Sequence, residues 1–172
     1  VTAEIASEFR YNDPIMGEGT LFIAISQSGE TADTLESMRL AKRKGARVLA
    51  ITNVVGSSVA REAHDVLYTW AGPEIAVAST KAYSTQLIAL LLLTIKFAAL
   101  SGHCGREQLE QLYSSCVMSS KLAESTLLQE KEIGQIAKVF VGASDAFYIG
   151  RGLDYFLAME GSLKMKEISY IH

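Results

Sequence analysis

Residues 21–52 constrain the fold of this 172-residue chain more than any other stretch. Residues 21–25 (LFIAI) form an unbroken apolar run, the pattern of a strand buried on both faces. A polar turn, SQSGET, follows at residues 26–31. In the next segment Leu35, Met38 and Ala41 recur at helical spacing, with Leu40 beside them. Lys42, Arg43 and Lys44 suit the negative end of a helix, and Gly45 supplies a stop. Residues 47–52 (RVLAIT) read as the next strand. Strand, helix and strand within about 30 residues make the βαβ unit of a parallel sheet.

The alternation continues, with a turn at residues 53–58, a short helix at 57–63 and a strand at 65–70. A loop at 71–78 then leads to a long apolar helix at 79–101. Two amphipathic helices are expected at 107–128 and 130–137, a short strand at 146–149 (AFYI), and a helix at 155–170. The order predicts an α/β fold, a three-layer αβα sandwich around a parallel sheet. The last strand, glycine turn and helix read either as the opening of a second α/β domain, with a boundary near residues 125–135, or as a final unit of the first sheet.

Composition narrows the function classes. Apolar residues make up 49% of the chain and only two are proline, so a folded core is expected rather than disorder. The net charge is −3 and no basic run stands out, which argues against a nucleic-acid partner. Residues 87–100 (LIALLLLTIKFAAL) are the most apolar stretch. They fall short of the ~20 residues of a membrane span and Lys96 interrupts them, so burial in the core or a subunit interface is expected instead of a membrane. Cys104 and Cys116 stand apart from any histidine cluster, so no metal site and no cofactor are expected. Cys116 reads as a small buried apolar residue, and the pair is compatible with a reducing cytoplasm. No signal peptide is visible. The chain starts without methionine and stops inside a segment patterned as helix, as expected of an excised piece.

Three segments could carry chemistry. In SQSGET, Ser26, Ser28 and Thr31 offer hydroxyls, Gln27 an amide, and Gly29 lets the backbone approach a ligand closely. The turn sits between a strand end and a helix start, where backbone N–H groups and the helix dipole favour phosphate. Ordinary helix capping by Ser or Thr explains the same letters equally well. In VASTK, residues 77–81, Ser79 or Thr80 caps the long helix, or else the Val77 backbone and the Ser79 hydroxyl touch a sugar. Lys164 and Glu167 are three apart and share a helix face. They form either a surface ion pair or a carboxylate poised for proton transfer beside a cation that tunes it.

Taken together, SEFRY (7–11), SQSGETADTL (26–35), VASTKAYSTQ (77–86) and GSLKMKEISYIH (161–172) resemble the sugar isomerase (SIS) region of the glutamine–fructose-6-phosphate aminotransferase family. The match runs in order along nearly the whole chain. It implies a first SIS domain at residues 1–125 and the start of a second at 126–172. It further implies that Ser26, Gln27, Ser28 and Thr31 bind the phosphate of fructose 6-phosphate, and that Val77 and Ser79 contact the sugar. Glu167 matches the carboxylate that moves a proton between C1 and C2 on the way to glucosamine 6-phosphate, and Lys164 its neighbouring lysine. A cytoplasmic homodimer is implied as well. The family's glutaminase part, ring-opening histidine and Schiff-base lysine have no counterpart in these residues, so the chain alone is expected to be inactive. A SIS deglycase or isomerase without a glutaminase, and a SIS module that only senses a sugar phosphate, remain rivals. The Glu167–Lys164 pair disfavours the sensor, because sensing needs no proton shuttle.

Overall fold

The computed structural model describes residues 1–171. Its elements run α1 (Ala6–Phe9), β1 (Leu21–Ser26), α2 (Ala32–Arg43), β2 (Arg47–Thr52), α3 (Ser58–Glu62), β3 (Asp65–Tyr68), α4 (Lys81–Ser101), α5 (Arg106–Leu127), α6 (Glu130–Val139) and α7 (Leu153–Ser169). Two compact units result. One holds Val1–Glu74 with Thr80–Leu93, and the other holds Ile75–Ser79 with the chain from Thr94 onward.

The first unit is built on a parallel sheet of order β1-β2-β3, with Leu21 opposite Arg47 and Leu49 opposite Asp65. Successive strand side chains face opposite ways. Ala24 of β1, Val48 and Ala50 of β2, and the partly buried Phe22 and Val66 therefore share one face. Met38 and Ala41 of α2 and Val59 of α3 pack with them. Met38 and Val48 are fully buried, each contributing roughly 1.5–3 kcal/mol of hydrophobic stabilisation. The predicted stop of α2 forms as a Schellman turn: Gly45 takes φ +87°, its N–H donates to the Lys42 carbonyl, and the Ala46 N–H donates to the Ala41 carbonyl.

Three expectations about burial and pairing need correction. The apolar run of β1 is not buried on both faces, since Leu21 and Ile25 each remain 41% exposed. β1 is an edge strand here, and run length says nothing of what covers a face. Residues 146–149 form no strand, because a strand exists only as a ladder with a neighbour and none among the described residues pairs with them. Phe147 and Ile149 are correspondingly exposed. The apolar helix α4 buries only Ala82 and Ala89, so burial inside this chain is not its state. By length and composition alone α4 could cross a membrane, a test that core and interface helices of soluble proteins also pass.

The second unit is helical. α5, α6 and α7 contain no buried residue. Cys104 and Cys116 are free thiols, and Cys116 is half-buried, not the buried core residue expected. The ring of Tyr148 lies over Gly161 of α7, where an added Cβ would come within 2.9 Å of the ring carbon Cε1.

Candidate phosphate site and acid–base pair

β1 ends in Ser26 and α2 starts at Ala32, so residues 26–31 make the whole connection. Within it the Ser26 hydroxyl accepts the Gly29 N–H at 3.1 Å, and the Ser28 hydroxyl accepts the Glu30 N–H at 3.2 Å. The Ser26 and Thr31 hydroxyls lie 3.1 Å apart and share a hydrogen bond. The Ser26 and Ser28 hydroxyls each accept a backbone N–H, and one of the Ser26 and Thr31 hydroxyls gives its hydrogen to the other, so Ser28 and one of that pair can still donate.

Thr31 occupies the N-cap position of α2 but its side chain makes no cap hydrogen bond. Its hydroxyl is turned to Ser26 instead. The positive end of α2 thus has no side-chain cap from Thr31. The start of α4 is built the opposite way. There the Glu74 carboxylate accepts the N–H groups of Thr80 and Ala82 at 3.3 and 3.1 Å. Those bonds hold the Glu74 carboxyl below the usual glutamate range, the Ala82 N–H having the larger effect. Glu74 thus takes the capping role open to Ser79 or Thr80. Ser79 is half-buried and Val77 is exposed, both in the loop before α4.

Gly29 is the geometric key of the turn. Its φ is +66°, and a Cβ built on it would overlap the Ser57 hydroxyl, lie 2.6 Å from Ser57 Cβ and 2.9 Å from Thr52 Oγ1. Only glycine meets both conditions without strain. The turn is then pinned from β2 and α3. The Asn53 N–H donates to the Gln27 carbonyl at 3.1 Å, the Val59 N–H to the Gly29 carbonyl at 2.9 Å, and the Ser58 N–H to the Glu30 carboxylate at 2.8 Å. The Ser58 side chain first, and this N–H second, lower the Glu30 carboxyl below its ordinary value. Asn53 also ties down the segment after β3: its Oδ1 accepts from Thr69 Oγ1 and the Ala71 N–H, and its Nδ2 donates to the Gly72 carbonyl. Ser57 is 3% exposed, and its hydroxyl has no hydrogen-bond partner among the described residues. Sequence reasoning missed Thr52, Asn53, Ser57 and Glu74, since only tertiary contact reveals their roles.

In the second unit Lys164 Nζ donates to Glu167 Oε2 at 2.6 Å and stands 3.5 Å from Glu160 Oε1. All three side chains are partly shielded, at 22%, 35% and 24% exposure for Lys164, Glu167 and Glu160. The Glu167 hydrogen bond, with Glu160 behind it, raises the lysine above its ordinary value against the opposing effect of desolvation. Sequence reasoning missed Glu160, although its position one helical turn before Lys164 was a readable signal. The arrangement can do either of the things expected of it: a lysine between two carboxylates is an ion-pair cluster, and it also orients a carboxylate for proton transfer.

A parallel sheet whose first strand runs through a glycine-centred, hydroxyl-rich turn into a helix defines an α/β domain of the open parallel-sheet class. The sequence model of the SIS domain matches residues 1–96, more than half of the chain, and the chain belongs to the SIS domain family. It is 57% identical over 172 residues to the glutamine--fructose-6-phosphate aminotransferase (isomerizing) of Clostridium tetani. It is 59% identical over 175 aligned residues to that of Caldanaerobacter subterraneus. Each alignment takes in all of this chain and 28% of the relative, so the chain spans little more than a quarter of these relatives' length. The solved C-terminal domain of glucosamine-fructose-6-phosphate aminotransferase from Francisella tularensis superposes with a TM-score of 0.95 at 45% identity. That match covers 99% of this chain and 49% of the other.

Proposed function

We propose that this chain is the hexose-phosphate-binding isomerase region of an enzyme that converts fructose 6-phosphate and glutamine to glucosamine 6-phosphate and glutamate. The observation that carries the reading is the turn at residues 26–31, whose hydroxyls bond within the turn and leave the end of α2 uncapped. Ser26, Gln27, Ser28 and Thr31 then hold the phosphate through neutral donors and the helix end, and Val77 and Ser79 contact the sugar. Glu167 moves the proton between C1 and C2: an imine at C2 acidifies the C1 hydrogens, and a carboxylate held by Lys164 is placed to act as the base. Lys164 keeps that carboxylate oriented. Residues 126–171 read as the opening of a second SIS domain. A cytoplasmic homodimer completes the proposal, with the apolar surface of α4 covered by protein.

The test is calorimetric titration of the full-length protein with fructose 6-phosphate and with glucosamine 6-phosphate, for wild type and Ser28→Ala. Wild type binds both, and the variant binds about tenfold or more weakly, as expected for a lost hydrogen bond to a charged group. Equal affinity in both proteins would remove Ser28 from the site. A wild-type protein that binds neither ligand would refute the hexose-phosphate reading.

A further inference from the structure

We infer that Arg10 acts on the phosphate site from outside it, by neutralising Asp33 in the first turn of α2; this rests on the phosphate reading of residues 26–31. Asp33 lies two residues beyond Thr31, at the helix end whose positive dipole attracts the ligand. A carboxylate there is normally favourable for the helix, but it competes with an incoming anion for the same field. The turn contributes a second carboxylate, Glu30, and no lysine or arginine. An anion site so built needs both negative charges occupied.

Both are. Glu30 is bonded to the Ser58 N–H at 2.8 Å. Asp33 is bonded to Arg10, with Nη1 donating to Oδ1 at 2.9 Å. Arg10 is itself held, since its second terminal nitrogen donates to the Tyr11 hydroxyl and its guanidinium carbon sits 4.7 Å from the Tyr11 ring centroid. The Tyr11 hydroxyl and the nearby Asp33 and Glu36 carboxylates push the arginine further above its ordinary value, so the charge is permanent.

The pair is not what docks the N-terminal segment. Phe9 is buried with its ring 5.2 Å from that of Phe22, and the Ser37 hydroxyl donates to the Ala6 carbonyl at 2.9 Å. Those contacts fasten α1 to β1 and α2 without Arg10. What Arg10 adds is a positive charge beside the one carboxylate of the first turn of α2, reached across 23 residues of sequence. Arg10 touches no ligand in this account and is a positioning and charge-compensating residue.

Reciprocal substitution in the full-length protein tests it, read as the dissociation constant for fructose 6-phosphate at low and at high salt. Arg10→Gln is expected to weaken binding about five- to tenfold at low salt, from one uncompensated charge near a dianion. Arg10→Lys keeps the charge and stays within about twofold of wild type. Adding Asp33→Asn to Arg10→Gln restores affinity to within about twofold, because the repelling carboxylate is gone. High salt shrinks the Arg10→Gln effect, as screening requires. A purely structural role predicts the opposite pattern, since the double variant cannot re-form the pair and would bind as weakly as Arg10→Gln. That result, or an unchanged affinity in Arg10→Gln while Ser28→Ala loses binding, overturns the inference and leaves the phosphate turn standing. Absence of fructose 6-phosphate binding by wild type would overturn both.

Discussion

Replacing Gly29 with alanine should damage fold and site together, and the structure allows the magnitude to be worked out. The first cost is conformational. At φ +66° an alanine pays roughly 1–2 kcal/mol that glycine does not. The second is steric, because the new methyl would sit 2.6 Å from Ser57 Cβ and 2.9 Å from Thr52 Oγ1. Ser57 and Thr52 are 3% and 0% exposed, so neither can swing into solvent. Overpacking of this kind costs typically ~1–3 kcal/mol. Together the loss is about 2–5 kcal/mol, a large share of the ~5–15 kcal/mol that holds an average domain together. Urea unfolding of wild type and Gly29→Ala reads it as a lower midpoint with an unchanged slope. A second arm separates the two costs. Ser57→Gly removes the crowding methylene, and glycine is tolerated at a helix N-cap such as this one. The double variant should therefore recover about 1–2 kcal/mol relative to the sum of the singles. A Gly29→Ala midpoint equal to wild type would refute the claim that this turn is fixed by a clash-limited glycine. Strict additivity with Ser57→Gly would refute the steric half alone.

Two further outcomes follow from the acid–base groups. Glu167→Gln in the full-length protein should lower kcat for glucosamine 6-phosphate formation by about 10²–10⁴, while fructose 6-phosphate affinity stays within roughly threefold; a fall in affinity with kcat intact would assign Glu167 to binding. Glu74 titrates below the usual glutamate value because it accepts the Ala82 and Thr80 N–H groups. A carboxyl whose folded value is depressed contributes stability that is present above its unfolded value and lost as pH falls through the folded one. Acid unfolding followed by circular dichroism should then show a shallower loss of stability below about pH 5 in Glu74→Gln than in wild type. Identical pH slopes would remove Glu74 as the cap of α4.

Much of the first hundred residues was legible because local rules and tertiary packing agree there. The 3.6-residue spacing of Leu35, Met38 and Ala41, the basic run before Gly45 and the β-branched β2 all point one way, and the Schellman turn at Gly45 follows from them. Legibility failed where the deciding fact was a partner. An apolar run such as residues 21–25 or α4 reports that its surface prefers burial, not that something lies on it. Residues 146–149 have strand-like letters, but the hydrogen bonds that define a strand belong to a neighbour. At the site, the hydroxyl set Ser26, Ser28 and Thr31 was readable, whereas whether Thr31 caps α2 was not. Capping depends on which way the Thr31 side chain turns, and its spacing from the helix is the same in either case. Ser57 and Thr52 beneath Gly29, and Arg10 beside Asp33, are joined only by the fold.

The starts of α2 and α4 differ in what their loop side chains bond to. Both α2 and α4 follow a strand through a loop that contains Ser, Thr and Glu, so their letters predict similar ends. At α4 a carboxylate from the loop occupies the amides, and the helix dipole is spent on the chain's own charge. At α2 the loop carboxylate is diverted to Ser58, the first-turn carboxylate is neutralised by Arg10, and the N-cap hydroxyl bonds back to Ser26. Three separate contacts each remove a competitor from the same few N–H groups. Helix capping alone needs none of them and would be better served by their absence, since an aspartate or threonine left on the helix end stabilises it. The phosphate reading proposed above needs this arrangement at α2, with the Thr31 hydroxyl and the Glu30 and Asp33 carboxylates each bonded elsewhere.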